Sequence, residues 1–209
     1  MQLPVRGSNL PPVEIGAIYT IGLNYDDPAN PGAPRPERPL VYGKAPSSLT
    51  ATGSAVTWDR SLTENVNGEC ELGVVIGDKA TVLGYTIVND VTSQDAWLDG
   101  DQWLLGKSFP GFCPVGPWLV PAVELDVSDI GLGFRLNGVD VQDGRTSHMR
   151  YGIGEILDYL GRHIELRPGD LIATGTPARI GPFAGRHLGR GDTMTCWIDG
   201  IGELTNTVE

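Results

Sequence analysis

Positive charge is what this chain has least of: 15 Lys and Arg stand against 26 Asp and Glu, a formal net charge of -11 over 209 residues. Nucleic-acid binding wants a surplus of cations on one face, so the balance argues against that class of partner. Long apolar runs are missing too. No segment approaches the ~20 residues of a membrane span, and the start, Met1-Gln2-Leu3-Pro4-Val5-Arg6, lacks an apolar stretch of signal-peptide length. The three cysteines, Cys70, Cys113 and Cys196, are odd in number and show no C-x-x-C spacing, so neither a disulfide framework nor a zinc site is suggested. The expectation is a cytoplasmic protein with no nucleic-acid and no membrane partner. Gly106-Lys107-Ser108 has Asp101 where a P-loop needs its first glycine, and no Gly-x-Ser-x-Gly elbow occurs. Nucleotide hydrolysis and serine hydrolysis of the α/β type are therefore set aside.

Carboxylates are what the chain does offer. Glu69-Cys70-Glu71 opens the apolar run Leu72 to Ile76, and Asp90 closes the run Tyr85 to Asn89. Alternate side chains of a strand share a face, so Glu69 and Glu71 point one way while Cys70 and Leu72 point the other. If the strand ending at Asp90 pairs beside them, three like charges converge, which is tolerable around a divalent cation. The plainer alternative is a solvated strand edge.

Short strand-like runs recur between Gly, Pro, Asn and Asp: 17 to 23, 40 to 43, 72 to 76, 82 to 88, 132 to 137, 170 to 174 and 193 to 198. One helix is predicted from Ile153, Ile156, Leu157 and Leu160, ending near Gly161. The pattern reads as α+β, mostly β, in a single domain spanning 1–209. Five prolines between Pro28 and Pro39 exclude a helix there and predict an extended loop.

The order of further strings carries a resemblance. Ile21-Gly22-Leu23-Asn24-Tyr25, Lys44-Ala45-Pro46-Ser47-Ser48, Glu69-Cys70-Glu71-Leu72 and Gly84 to Val91 come first. Gln102 to Phe109, Phe112 to Trp118, Leu136-Asn137-Gly138-Val139 and Pro168 to Pro177 follow. Together they resemble the fumarylacetoacetate hydrolase superfamily from about residue 17 onward. The resemblance implies a mixed β-sandwich roll with few short helices. It also implies a Mg2+ site (Mn2+ or Ca2+ being possible) at Glu69, Glu71 and Asp90, a small-molecule substrate, and a homodimer to which Trp58, Trp97, Trp103 or Trp118 could contribute.

The implied activity is that of a divalent-metal-dependent enzyme acting on a small 2-oxo or 1,3-diketo acid through a metal-stabilised enolate. Hydrolysis of a C–C bond in an acylpyruvate or fumarylacetoacetate-like substrate leads. A decarboxylase or isomerase on the same site, and a non-catalytic metal-binding domain, stay open. Lys107 would offset carboxylate charge, and the turn at Gly175-Thr176 would bind a substrate carboxylate, with Tyr25 and His148 near the pocket. Two departures matter. Pro28 stands where relatives place a lid histidine, which leaves Asp27 and Glu37 as the nearest bases. Gln94 stands where relatives commonly place an arginine, which weakens any claim for a diacid.

Overall fold

The computed structural model describes residues 1–7, 9–27, 32, 36–95 and 102–209. The amino-terminal strands are β1 (Gln2–Leu3), β2 (Val13–Glu14), β3 (Ile18–Gly22), β4 (Leu40–Lys44), β5 (Leu49–Ala51) and β6 (Ala55–Val56). Then follow β7 (Val66–Asn67), β8 (Cys70–Ile76), β9 (Val82–Asn89), β10 (Thr92–Ser93), the one-turn helix α1 (Trp103–Gly106) and β11 (Cys113–Pro121). The carboxyl half adds β12 (Gly131–Leu136), β13 (Val139–Arg145), α2 (Ile153–Gly161), β14 (Leu171–Ala173), β15 (Thr193–Ile198) and β16 (Gly202–Val208).

Two mixed sheets carry the architecture. One has seven strands in the order β4-β3-β14-β8-β9-β11-β5, the other five in the order β13-β12-β15-β16-β6. Between them lies the largest apolar cluster, where Cys70, Leu72 and Ile87 meet Phe134, Leu136, Met194 and Cys196. On another part of β8, Val74 and Ile76 pack with Ile156 and Leu160 of α2 and Ile172 of β14. Burying each such Ile or Leu contributes about 1.5–3 kcal/mol. The stripe predicted for α2 is thus its packing face, and Glu155 caps it by accepting the Gly152 N–H at 2.9 Å.

This is the strand-dominated α+β roll that the resemblance implied. The predicted strands lie within about two residues of the observed ones, a normal scatter for strand ends. The long strand β11 escaped strand periodicity because Pro114, Pro117 and Pro121 interrupt it. Its ladder to β9 shows why it survives: pairing lapses between Gly116 and Val120, so Pro117 falls where no ladder bond is needed. All three cysteines are free and buried.

The aromatic expectations divide. Trp58 packs edge-on against Phe112 and donates its indole N–H to the Thr63 carbonyl, and Trp103 stacks on Tyr42. Trp118 is partly exposed, as are Leu83 and, almost fully, Val123. Trp97 and Pro28 lie outside the described residues, as does most of the proline-rich segment. Among the described residues, no helix is long and apolar enough to cross a membrane.

Candidate metal centre and active site

A hairpin assembles the acids. β8 and β9 are antiparallel, with Cys70 opposite Asn89, and their turn lies at the far end, where Gly77 N–H bonds the Thr81 carbonyl at 2.8 Å. Just beyond the paired region, the Asp90 N–H donates to the Glu69 carbonyl at 2.8 Å, so Asp90 sits across from Glu69. Ligand oxygens of Glu69, Glu71 and Asp90 all come within 4.8 Å of one another. Glu71 and Asp90 are buried and Glu69 is half-buried.

The three carboxylates are held differently. Asp90 receives Lys44 Nζ on one oxygen and Lys107 Nζ on the other, each at 2.5 Å. Burial pushes the Asp90 carboxyl up, but the two ammonium groups together outweigh it and hold it below the usual aspartate value. Glu71 accepts one N–H, from Gly175 at 2.8 Å. Burial and the neighbouring Asp90 charge raise it well above the ordinary glutamate value. Burial also raises Glu69, with Lys107 opposing, and no protein donor among the described residues reaches its carboxylate.

Gly175 is a glycine for a geometric reason. Its φ is +97°, and a Cβ there would lie 2.7 Å from Asn24 Cβ and 3.0 Å from the Ile21 carbonyl. Only the bare backbone lets its N–H approach Glu71. Asn24 braces the same turn, donating to the Tyr151 and Thr174 carbonyls at 3.0 and 2.8 Å while accepting from the Tyr151 N–H.

Behind the acids, a closed ring of bonds sets the strand between them. Cys70 N–H donates to Gln142 Oε1 at 2.9 Å, Gln142 Nε2 donates to Thr176 Oγ1 at 2.7 Å, and Thr176 Oγ1 donates to the Cys70 carbonyl at 2.8 Å. Gln142 also donates to the Pro177 carbonyl at 2.7 Å. Since Gln142 belongs to β13, this ring ties the five-stranded sheet to β8, the strand that carries Glu71 in the other.

A cavity of about 570 Å³ opens over the acids. Glu69, Glu71, Asp90 and Lys107 line it, as do Asp27, Tyr25, Gln94, Thr176, Gln142, Arg179, Tyr42 and Trp103. The structure therefore brings most of the predicted site together and corrects the rest. Glu37 is exposed beside Tyr159 and Arg162 of the α2 region, in a separate surface depression, because the chain leaves the proline-rich segment on that side. His148 is exposed in the turn after β13 and does not line the cavity. Gly175 and Thr176 turn their N–H and hydroxyl donors onto Glu71 and Cys70, so they brace the ligands rather than offering those hydrogens to a substrate. Lys44, Gln142 and Arg179 were not predicted.

The donor set fits a divalent cation. It is all hard oxygen, with no thiolate or imidazole, which suits Mg2+, Mn2+ or Ca2+ rather than softer metals. Two of the three carboxylates are short of positive charge, and that shortage is what an ion would remedy.

A strand-built carboxylate cluster at the floor of a mixed-sheet cavity defines a class, β-rolls with a candidate divalent-metal site. Comparison with known proteins narrows it. The family profile described as fumarylacetoacetate (FAA) hydrolase C-terminal matches residues 17–209. The chain belongs to that family. A Pyrococcus horikoshii protein is 38% identical over 202 residues, covering 90% of this chain and 85% of its own length. A fumarylpyruvate hydrolase from Pseudomonas aeruginosa, solved in complex with Mn2+ and pyruvate, aligns with a TM-score of 0.86 at 29% identity, covering 100% of this chain and 95% of that one. A 5-carboxymethyl-2-hydroxymuconate delta-isomerase from Mycobacterium smegmatis aligns with a TM-score of 0.83 at 33% identity, covering 94% and 78%. The solved relatives thus include a hydrolase and an isomerase.

Proposed function

We propose that this chain is a single-domain, divalent-metal-dependent enzyme that hydrolyses a C–C bond in a small 2,4-dioxo acid of the acylpyruvate type, with Mg2+ or Mn2+ as its ion. The observation that carries the reading is the carboxylate triad at the base of a cavity sized for a small molecule. When bound, a hard divalent cation supplies Lewis-acid polarisation of the oxygens of a chelating 2-oxo acid.

The chain's own groups do the rest. Lys107 spends two of its three hydrogens on Asp90 and Thr92, leaving one for the negative charge that builds on the substrate's 2-oxo oxygen. The Tyr25 hydroxyl is buried with no hydrogen-bond partner among the described residues. Burial and the Glu71 charge raise its pKa, so it stays a neutral phenol able to donate to the substrate. Asp27 takes a proton from water, whose oxygen bonds to the acyl carbon. The adjacent C–C bond then breaks, its electron pair stays with the pyruvate fragment, and protonation of that fragment yields pyruvate beside the free acid.

One observation favours a second reading, decarboxylation or isomerisation on the same platform. Its three histidines all lie away from the cavity: His148 is exposed, His163 rests on the Tyr159 ring and His187 meets Asn67. Neither reaction needs a strong water-activating base. Incubation with Mn2+ and acetylpyruvate, oxaloacetate or an unsaturated 2-hydroxy diacid, followed by NMR, separates the readings. Pyruvate with acetate, lost by about 100-fold in Asp27→Asn, supports hydrolysis; carbon dioxide from oxaloacetate or a shifted double bond without cleavage supports the second reading. A small-molecule substrate and a second copy of the chain are the partners this reading includes.

A further inference from the structure

Beside its carboxylates, the cavity has an aromatic and aliphatic wall. Tyr42 and Trp103 stack with ring centroids 4.8 Å apart, and Ile21, Leu23 and Pro177 join them along the lining. Charge along the same lining is lopsided. Among the described residues it holds two cations, Lys107 and Arg179, against the carboxylates of Asp27, Glu69, Glu71 and Asp90.

Both cations are already engaged. Lys107 Nζ meets Asp90 at 2.5 Å and Thr92 Oγ1 at 3.0 Å. Arg179 donates to the carbonyls of Ala184, Gly68, Phe183 and Arg186 at 2.7 to 3.2 Å. That spends three of its five N–H groups on the loop after β14 and a fourth on Gly68 next to Glu69, whose charge acts on it. Lys44, behind Asp90 at 2.5 Å, adds a third cation, so with a divalent ion in place the site carries one net positive charge. The carboxylate of one 2-oxo acid then cancels it, and a second carboxylate would arrive with no counter-ion left for it among the described residues.

We infer that the site selects 2-oxo acids whose tail is uncharged and apolar or aromatic, and discriminates against tails that end in a second carboxylate. This rests on the 2-oxo acid reading of the preceding subsection. The tail lies along the Tyr42 and Trp103 wall, where burial of an aromatic group gains most, and Gln94 on the lining adds no charge.

The test uses the whole chain loaded with Mn2+ and measures binding by calorimetry, independently of turnover. Phenylpyruvate binds at least about tenfold tighter than 2-oxoglutarate, since like-charge juxtaposition is strongly penalised. Trp103→Ala lowers the ratio of phenylpyruvate to pyruvate affinity, and Gln94→Arg raises affinity for 2-oxoglutarate. Equal or tighter binding of 2-oxoglutarate by the unaltered protein overturns the inference and leaves the 2-oxo acid reading standing. If phenylpyruvate, pyruvate and 2-oxoglutarate all fail to bind to protein that does bind Mn2+, the reading falls and takes the inference with it.

Discussion

Asp90 and the Glu69–Glu71 pair approach within 4.8 Å of each other, yet their electrostatic conditions are opposite. Two buried ammonium groups hold Asp90 as an anion below its usual pKa. Among the described residues no ammonium group bonds either glutamate, and burial raises both against the opposing charge of Lys107. The chain therefore compensates one of its three carboxylates internally and leaves the other two to something that arrives. Asp90 belongs to the protein's own stability; the glutamates belong to the site.

Replacing Lys44 by Met strikes the compensated half, and its effect is the largest. Breaking one partner of a buried ion pair costs about 3–5 kcal/mol. A urea titration of the metal-free protein reads this as a lower midpoint at unchanged slope. A midpoint that does not move would mean that Lys107 alone compensates Asp90. Glu71→Gln strikes the other half, where the cost falls on the ion: Mn2+ affinity by calorimetry drops by about 100-fold. Unchanged affinity would remove Glu71 from the ligand set and erase the contrast.

The smallest effect sharpens the comparison through pH. A carboxyl whose folded pKa is raised favours folding while protonated, and that contribution is lost as pH rises through the raised value. The metal-free fold is thus strained by Glu69 and Glu71 at neutral pH and relieved in acid, whereas Asp90, with its lowered pKa, stabilises until acid protonates it. Mn2+ relieves the glutamates only where they are ionised. The rise in melting temperature on adding Mn2+ is accordingly greater near pH 7.5 than near pH 5, and equal rises would show that the glutamates are not what the ion meets.

The clustering of Glu69, Glu71 and Asp90 was legible because alternation along a strand is a strong local rule, and the hairpin places Asp90 beside the two glutamates. The role of Lys44 is not written in its motif, since nothing local says that a strand-terminal lysine 46 residues away will reach Asp90. Gln142 was invisible for a different reason. Val139 and Val141 suggest that even-numbered positions face outward, but the ladder of β13 shifts register between the partners of Phe134 and Arg135, so Val141 and Gln142 are both buried. Glu37 is close to Pro28 in sequence only, and proximity along a proline-rich segment does not tell which side of the molecule its exit faces. The same distance rule reached Asp27, which does line the cavity.

The strand that bears Glu71 is the fourth of seven, flanked by β14 on one edge and β9 on the other. Its amide protons are shielded on both sides, so they exchange with solvent only when the whole sheet opens. An ion bound there would consequently meet a socket whose shape is already set, and its loading would wait on the shedding of its own water rather than on any gathering of the chain.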